Sequence, residues 1–240
     1  MLWKKYDKNA PHAYTFGVFP TLELLRYQMP HAIEVLLHSQ GERNEGVEKI
    51  RALCQHARIP TTLSDKLVER LSPKENTYAV GIFQKYYPRL NPDESHVVLI
   101  NPGDMGNLGT IIRTLLGFGL TNLALVRPAA DIFDPRAIRA SMGAVFQLAF
   151  QYFESFDSYR AAFGEHHLYP FMTDGAARLP EVAFQHPFAL VFGNESSGLP
   201  PEFRETGTSV RIPQRPAIDS LGLPIAVGIA LYGATAESCS

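Results

Sequence analysis

Between His96 and Phe192, short apolar runs keep alternating with stretches long enough for a helix. That pattern admits little besides a mostly parallel sheet covered by helices on both faces. Residues 96–101, 123–126, 167–171 and 188–192 read as strands, and 208–212 as one more. Helices are expected over about 107–118, 135–140 and 156–163, with an apolar closing helix over 220–236. The fold class is therefore α/β.

Ahead of this region the same two periodicities recur on a smaller scale. Residues 21–27, 46–57 and 64–71 read as helical and 32–38 and 77–84 as extended, which makes a small α/β domain. Between the two regions runs Tyr86-Tyr-Pro-Arg-Leu-Asn-Pro-Asp-Glu-Ser, whose two prolines oppose helix and sheet alike. The expected division is a domain over 1–91 and another over 92–240, and 240 residues suffice for both cores without covalent staples.

Charge is divided unevenly. Residues 1–95 hold 13 Lys and Arg against 11 Asp and Glu, and the remainder 9 against 13, within a formal net charge of −2. A polyanion is thus expected to meet the N-terminal domain, although the balance as a whole argues against a nonspecific nucleic-acid binder. Cys54 and Cys239 form no CxxC pair, so neither a disulfide framework nor a zinc site is suggested and a reducing, cytoplasmic setting is expected. The early lysines precede no apolar run, and the most apolar stretch, 221–234, is too short for a span, so no export or membrane role is expected.

Three glycine-rich turns carry the chemistry. The first, Asn101-Pro-Gly-Asp-Met-Gly-Asn-Leu-Gly-Thr-Ile-Ile-Arg113, joins a strand to a helix, where glycines allow close backbone approach and helix amides can hold an anion. It lacks the Gly-Lys-Ser/Thr of a P-loop, its glycine spacing departs from the dinucleotide fingerprint, and Arg127 stands where an acidic residue would end the next strand. The second, Phe192-Gly-Asn-Glu-Ser-Ser-Gly-Leu-Pro200, lies at the carboxyl edge of the sheet, the usual ligand crevice of α/β folds. Glu195 there could alternatively cap a following helix. The third, from Ile212 to Ala226, is proline-rich, and Asp219 or Ser220 could simply cap the final helix.

In this order the three segments resemble the motifs of the SpoU-type, or TrmH-family, RNA ribose methyltransferases. The first motif reads Asn107-Leu-Gly-Thr-Ile-Ile-Arg-Thr with Phe118-Gly119 after it, the second Phe192-Gly-Asn-Glu-Ser-Ser-Gly-Leu, the third Ile212-Pro with Ser220-Leu221. Arg139-Ala-Ser-Met-Gly-Ala-Val-Phe146 is similar to the family's Ser-x-Gly-Ala segment. The resemblance covers about 96–236; residues 1–91 match the family's small RNA-binding domain only in size and pattern.

The resemblance implies a SPOUT fold, whose parallel sheet threads its C-terminal stretch through a loop as a trefoil knot, one of the rare exceptions to unknotted topology. It implies S-adenosylmethionine as cofactor, held at positions matching Gly193, Ile212 and Leu221, with Ser220 beside them. Glycine at 193 would keep a side chain from blocking that approach. It implies methyl transfer to a ribose 2'-hydroxyl of structured RNA, ribosomal or transfer, by a homodimer joined through the knotted domain, each site completed by the other subunit. The catalytic residue would be Arg113, with Asn107 and Glu195 organising the site.

In-line displacement at a sulfonium-activated carbon needs positioned reactants and help in removing the hydroxyl proton, and no metal. Because an arginine stays protonated, orientation and charge stabilisation suit Arg113 better than the role of base. Ile225, Ile229 and Tyr232 could serve a dimer interface or pack within one subunit. The chain departs from the family in having Gly222 where an Asn follows Ser-Leu, and in the proline and arginine of the loop at 214–218. Those departures keep open the alternative of a catalytically weakened, RNA- or cofactor-binding relative; a dinucleotide-dependent enzyme is the third reading.

Overall fold

A computed structural model describes residues 3–72, 76–215 and 220–236. The chain divides into two compact units, Met1–Tyr86 with Asp131–Gln147, and Tyr87–Ala130 with Leu148–Ser240.

The first unit is a sheet of β1 (His12–Phe16), β2 (Ala32–Leu37), β3 (Thr61–Leu63) and β4 (Ala79–Gln84), in the order β1-β4-β2-β3. Its helices are α1 (Val18–Tyr27), α2 (Glu45–Ala57) and α3 (Asp65–Leu71). Alternation along the strands builds two cores. Val35, Leu37 and Ala79 meet Leu22, Leu25, Val47 and Ile50 on one face, and Leu36, Val80 and Ile82 meet Val68 and Leu71 on the other. Helix starts are set by side chains accepting amide hydrogen bonds, Asn44 from Gly46 and Val47, and Ser64 from Leu67. Gly81 lies inside β4 because a Cβ there would sit 2.6 Å from Thr15 Oγ1 and 3.0 Å from Leu24 Cδ2, where α1 packs closest.

The two compact units differ from the expected contiguous division at 91/92: residues 87–91 group with the second unit and residues 131–147 with the first. There α5 (Pro135–Ala140) and a short 3-10 turn bring Phe133 and Phe146 edge-on against Phe83, with ring centroids 5.5 and 5.3 Å away. Lys85 reaches Asp131 at 3.2 Å, and the Gln28 side chain donates to the Phe146 carbonyl at 2.9 Å. The Ser-x-Gly-Ala segment falls here, with Gly143 at φ 81 and its α-carbon so close to α1 that a Cβ would lie 2.8 Å from Glu23 Cβ. No local signal marks this return, because it is burial of Phe133 and Phe146 that holds it.

The second unit is a wholly parallel five-stranded sheet. β5 (His96–Ile100), β6 (Asn122–Val126), β7 (Ala149–Phe153), β8 (His167–Pro170) and β10 (Phe188–Phe192) lie in the order β7-β6-β5-β10-β8. α6 (Phe156–Ala162) lies over one face, where Tyr159 and Phe163 join Val98, Val126 and Val191. α4 (Met105–Gly117) and α7 (Leu223–Thr235) pack side by side, α7 against β10.

The expected strand at 208–212 contracts to β11 (Val210–Arg211), which pairs with the two-residue β9 (Ala177–Arg178) and makes one isolated bridge from Val210 to Phe171. α7 starts at Leu223 with Gly222 at its N-cap and no side-chain cap, so Ser220 does not cap it; Asp219 lies outside the described residues. No described helix is long and apolar enough to cross a membrane.

Candidate active site

β5 and β10 are parallel neighbours in register, Phe192 opposite Leu99, so the turns that leave them emerge side by side at the carboxyl edge. The sheet order reverses between these two strands, which opens a crevice there. Glu195 spans the two turns. Its carboxylate accepts from the amides of Gly103 (3.2 Å) and Asp104 (3.1 Å), from Asn107 Nδ2 (3.4 Å) and from Asn194 Nδ2 (3.2 Å). The capping reading of Glu195 is therefore replaced: it binds the turn before α4, whose cap is Asp104, accepting from the Asn107 amide at 2.7 Å.

Asn194 is the second joint. Its Nδ2 donates to the Asn101 carbonyl at 2.7 Å, while its Oδ1 accepts from the Ser196 amide and hydroxyl at 3.0 and 2.7 Å. One amide thus ties the second turn to the first and folds its own loop. Asn101, at φ 54, occupies the left-handed region that Asn tolerates, and this turns the chain from β5 into the glycine-rich segment.

Partial burial raises the Glu195 pKa, but the amides of Glu195, Gly103 and Asp104 and the Asn107 side chain stabilise the carboxylate, leaving the value below the ordinary one. A carboxylate so held and so fully engaged is a poor proton acceptor and a good clamp.

Gly193 needs to be glycine for a different reason from the one its sequence context suggests. A Cβ there would lie 2.0 Å from the Gly198 carbonyl carbon and 2.3 Å from the Leu199 nitrogen. The obstruction is the loop's own backbone, which closes on itself through the Gly198 amide and the Asn194 carbonyl at 2.9 Å.

A cavity of about 430 Å³ opens beside this joint, lined by Gly193, Glu195, Ile212, Ser220 and Leu221. Its size suits a nucleoside-sized ligand. One wall is aromatic, with Phe171 and Phe192 stacked 4.7 Å apart at 15°. Sequence reasoning missed Phe171, Asp174 and Arg204 as lining residues. The available signal was the position of residues 171–174 just past the carboxyl end of β8, next to β10; Arg204, on a 3-10 turn at Pro201–Glu205, carries no signal of its own.

The structure brings six of the seven expected site residues together: Asn107 through Glu195, and Gly193, Ile212, Ser220, Leu221 and Glu195 around the cavity. Arg113 stands apart. It is exposed, does not line the cavity, and makes no ion pair or hydrogen bond among the described residues.

A parallel sheet with a cavity at its carboxyl edge, lined by the turns that leave β8 and β10 and standing beside the Glu195 clamp, defines an α/β protein with room for a nucleoside-sized ligand. Residues 94–232 match the SpoU rRNA Methylase family. The chain belongs to that family. It is 36% identical over 58% of its length to an uncharacterized tRNA/rRNA methyltransferase of Synechocystis, aligning with 52% of that protein. It is 37% identical over 53% of its length to the 23S rRNA (adenosine(1067)-2'-O)-methyltransferase of Streptomyces laurentii, aligning with 49% of it. The chain thus spans about half the length of these two curated relatives. Among solved structures it resembles the AdoMet-bound rRNA methyltransferase of Sinorhizobium meliloti, with a TM-score of 0.81 and 27% identity, over 96% of this chain and 89% of that one.

Proposed function

We propose that this chain binds S-adenosylmethionine in the cavity beside Glu195 and transfers its methyl group to a ribose 2'-hydroxyl of structured RNA, ribosomal or transfer. The observation that carries the reading is Glu195, whose carboxylate accepts from Gly103, Asp104 and Asn107 and so locks together the two turns that match the family's first and second motifs. The relatives named as methyltransferases and the AdoMet-bound neighbour support the same reading.

The residues present suit the cofactor. The stacked Phe171 and Phe192 give an apolar wall, and Ile212 and Leu221 also line the cavity. The carboxylates of Asp174 and Glu195 against the single guanidinium of Arg204 leave the cavity negative toward a cationic ligand. When bound, the cofactor supplies the activated methyl group. Asn107 and Glu195 fix the geometry of the turns, and Arg113 orients the substrate and stabilises the developing alkoxide.

We further propose that the domain closes as the trefoil knot of the SPOUT fold and works as a homodimer in a reducing, cytoplasmic compartment, where the buried free thiol of Cys54 is at home. Ile225, Ile229 and Tyr232 are 59, 37 and 65% exposed on α7, which supports the interface reading over packing in their own core. α7 is apolar on every face and packs beside α4, which carries the exposed Arg113. Pairing of two copies across these helices would deliver each Arg113 to the other's cavity. The first unit, richer in Lys and Arg than the second, would grip the RNA.

The test combines calorimetric titration with S-adenosylmethionine and incubation of the protein, radiolabelled cofactor and unmodified ribosomal and transfer RNA transcripts. Label in alkali-resistant dinucleotides is expected, since a methylated 2'-oxygen blocks strand cleavage there. Label in mononucleotides would show base methylation instead and overturn the ribose assignment; cofactor binding without transfer to any RNA would favour the weakened relative.

A further inference from the structure

We infer that Asp174 and Arg204 read the amino-acid end of the cofactor, Asp174 accepting from the α-ammonium group and Arg204 donating to the α-carboxylate. The inference rests on the cofactor reading above and goes beyond it by assigning one end of the ligand to one part of the wall.

Among the described residues lining the cavity, three are charged: Asp174, Glu195 and Arg204. Glu195 is already engaged by four N–H groups, so its charge serves the turns. Asp174 and Arg204 form an ion pair with each other. They come from separate elements, Asp174 from the exit of β8 and Arg204 from the 3-10 turn after Leu199-Pro-Pro, so the fold brings together two opposite charges 30 residues apart at one place on the wall.

With 63 and 45% of their side-chain surfaces exposed, the pair contributes little to stability, and both groups keep capacity for a ligand. A carboxylate offers about four lone-pair sites and a guanidinium five N–H donors, so one mutual contact leaves each able to take another. An α-amino acid presents the complementary set, an ammonium and a carboxylate two bonds apart. The remaining wall is apolar or neutral around Phe171, Phe192, Ile212 and Leu221, which suits a nucleoside and not a zwitterion.

S-adenosylhomocysteine and 5'-methylthioadenosine separate the two halves, since both carry the thioether adenosine and only the first carries the amino acid. Calorimetric titration of the unaltered protein, Asp174→Asn and Arg204→Gln with both ligands is the experiment. The unaltered protein is expected to bind S-adenosylhomocysteine more tightly. Each variant is expected to lose about tenfold in affinity for it while keeping 5'-methylthioadenosine within about twofold. Equal losses for both ligands would show that the pair only shapes the loop, and unchanged affinity for S-adenosylhomocysteine would show that it does not touch the ligand; either overturns the inference and leaves the cofactor reading standing. Failure of the unaltered protein to bind either ligand would overturn the cofactor reading and this inference with it.

Discussion

Gly193 shows how one residue type can be right for a reason its motif does not reveal. Its hydrogen atom faces the Gly198 carbonyl at a distance where no Cβ fits, so even Gly193→Ala is expected to force the loop open. Loss of S-adenosylmethionine binding by calorimetry and a destabilisation of about 2 kcal/mol in urea titration are the expected outcomes; an unaltered midpoint with normal binding would mean that the loop relaxes freely. Arg113 is exposed and makes no ion pair or hydrogen bond among the described residues, which fits the proposed role of a group reserved for substrate. Arg113→Lys keeps the charge and loses the planar fork, so turnover is expected to vanish while cofactor affinity stays unchanged. Near-normal transfer by this variant would remove Arg113 from the mechanism.

Among the elements, β5 is anchored at both ends. Its carboxyl end feeds the first of the two clamped turns, and its amino end is held by fully buried His96, which pairs with Tyr159 Oη at 3.0 Å and the Asn91 carbonyl at 2.8 Å. Burial pushes the His96 pKa down to about 4; the Asn91 carbonyl and Glu94 oppose the shift and His166, its ring centroid 4.2 Å away, adds to it. The unfolded chain therefore binds a proton in the window from about 6.5 down to 4 that the folded chain refuses, so stability is complete above 6.5 and is lost as pH falls through that window. Urea unfolding is expected to give about 2 kcal/mol less at pH 5 than at pH 7.5, and a flat profile above 7; a flat profile across the whole range would mean that His96 is hydrated. α7 offers a milder test. Gly222 has ordinary extended angles (φ −60, ψ 143) and open space around its α-carbon, so Gly222→Asn introduces a capping side chain without a clash. A gain of a few tenths of a kcal/mol is expected from thermal unfolding; a loss would mean that the neighbouring turn needs glycine.

At the scale of the whole molecule, the first unit draws part of its core from residues 131–147, where Ile132, Phe133, Val145 and Phe146 are buried. A fragment ending at residue 91 lacks those side chains and is expected to show no cooperative thermal transition, each missing Phe alone being worth about 3–5 kcal/mol. A sharp transition would mean that the returning segment is dispensable. The proposed pairing of two copies is tested by Ile225→Asp combined with Tyr232→Asp, which buries charge in any interface formed by α7. Sedimentation is expected to report a monomer without turnover, and an unchanged dimer would place the interface elsewhere.

The central strands of the parallel sheet were legible because strands covered on both faces read as continuous apolar runs, as 96–100, 122–126 and 188–192 do. The four strands that escaped, β1, β3, β7 and the two-residue β9, are all sheet edges; there one side needs no apolar neighbour, and His-Ala-Tyr-Thr-Phe or Thr-Thr-Leu carries no periodic signal. The glycine-rich turns and the residues Asn107, Gly193 and Glu195 were likewise readable, since turn chemistry is local and their order along the chain is specific. Sequence alone thus determined the α/β class, the family motifs and most of the residues at the carboxyl edge. Only the tertiary structure decided that Glu195 clamps a turn some 90 residues away, that Gly193 yields to Gly198, that residues 131–147 return to the first unit, and that Asp174 meets Arg204. Each of these joins groups distant in sequence, and such contacts are set by strand order and burial, which no local pattern encodes.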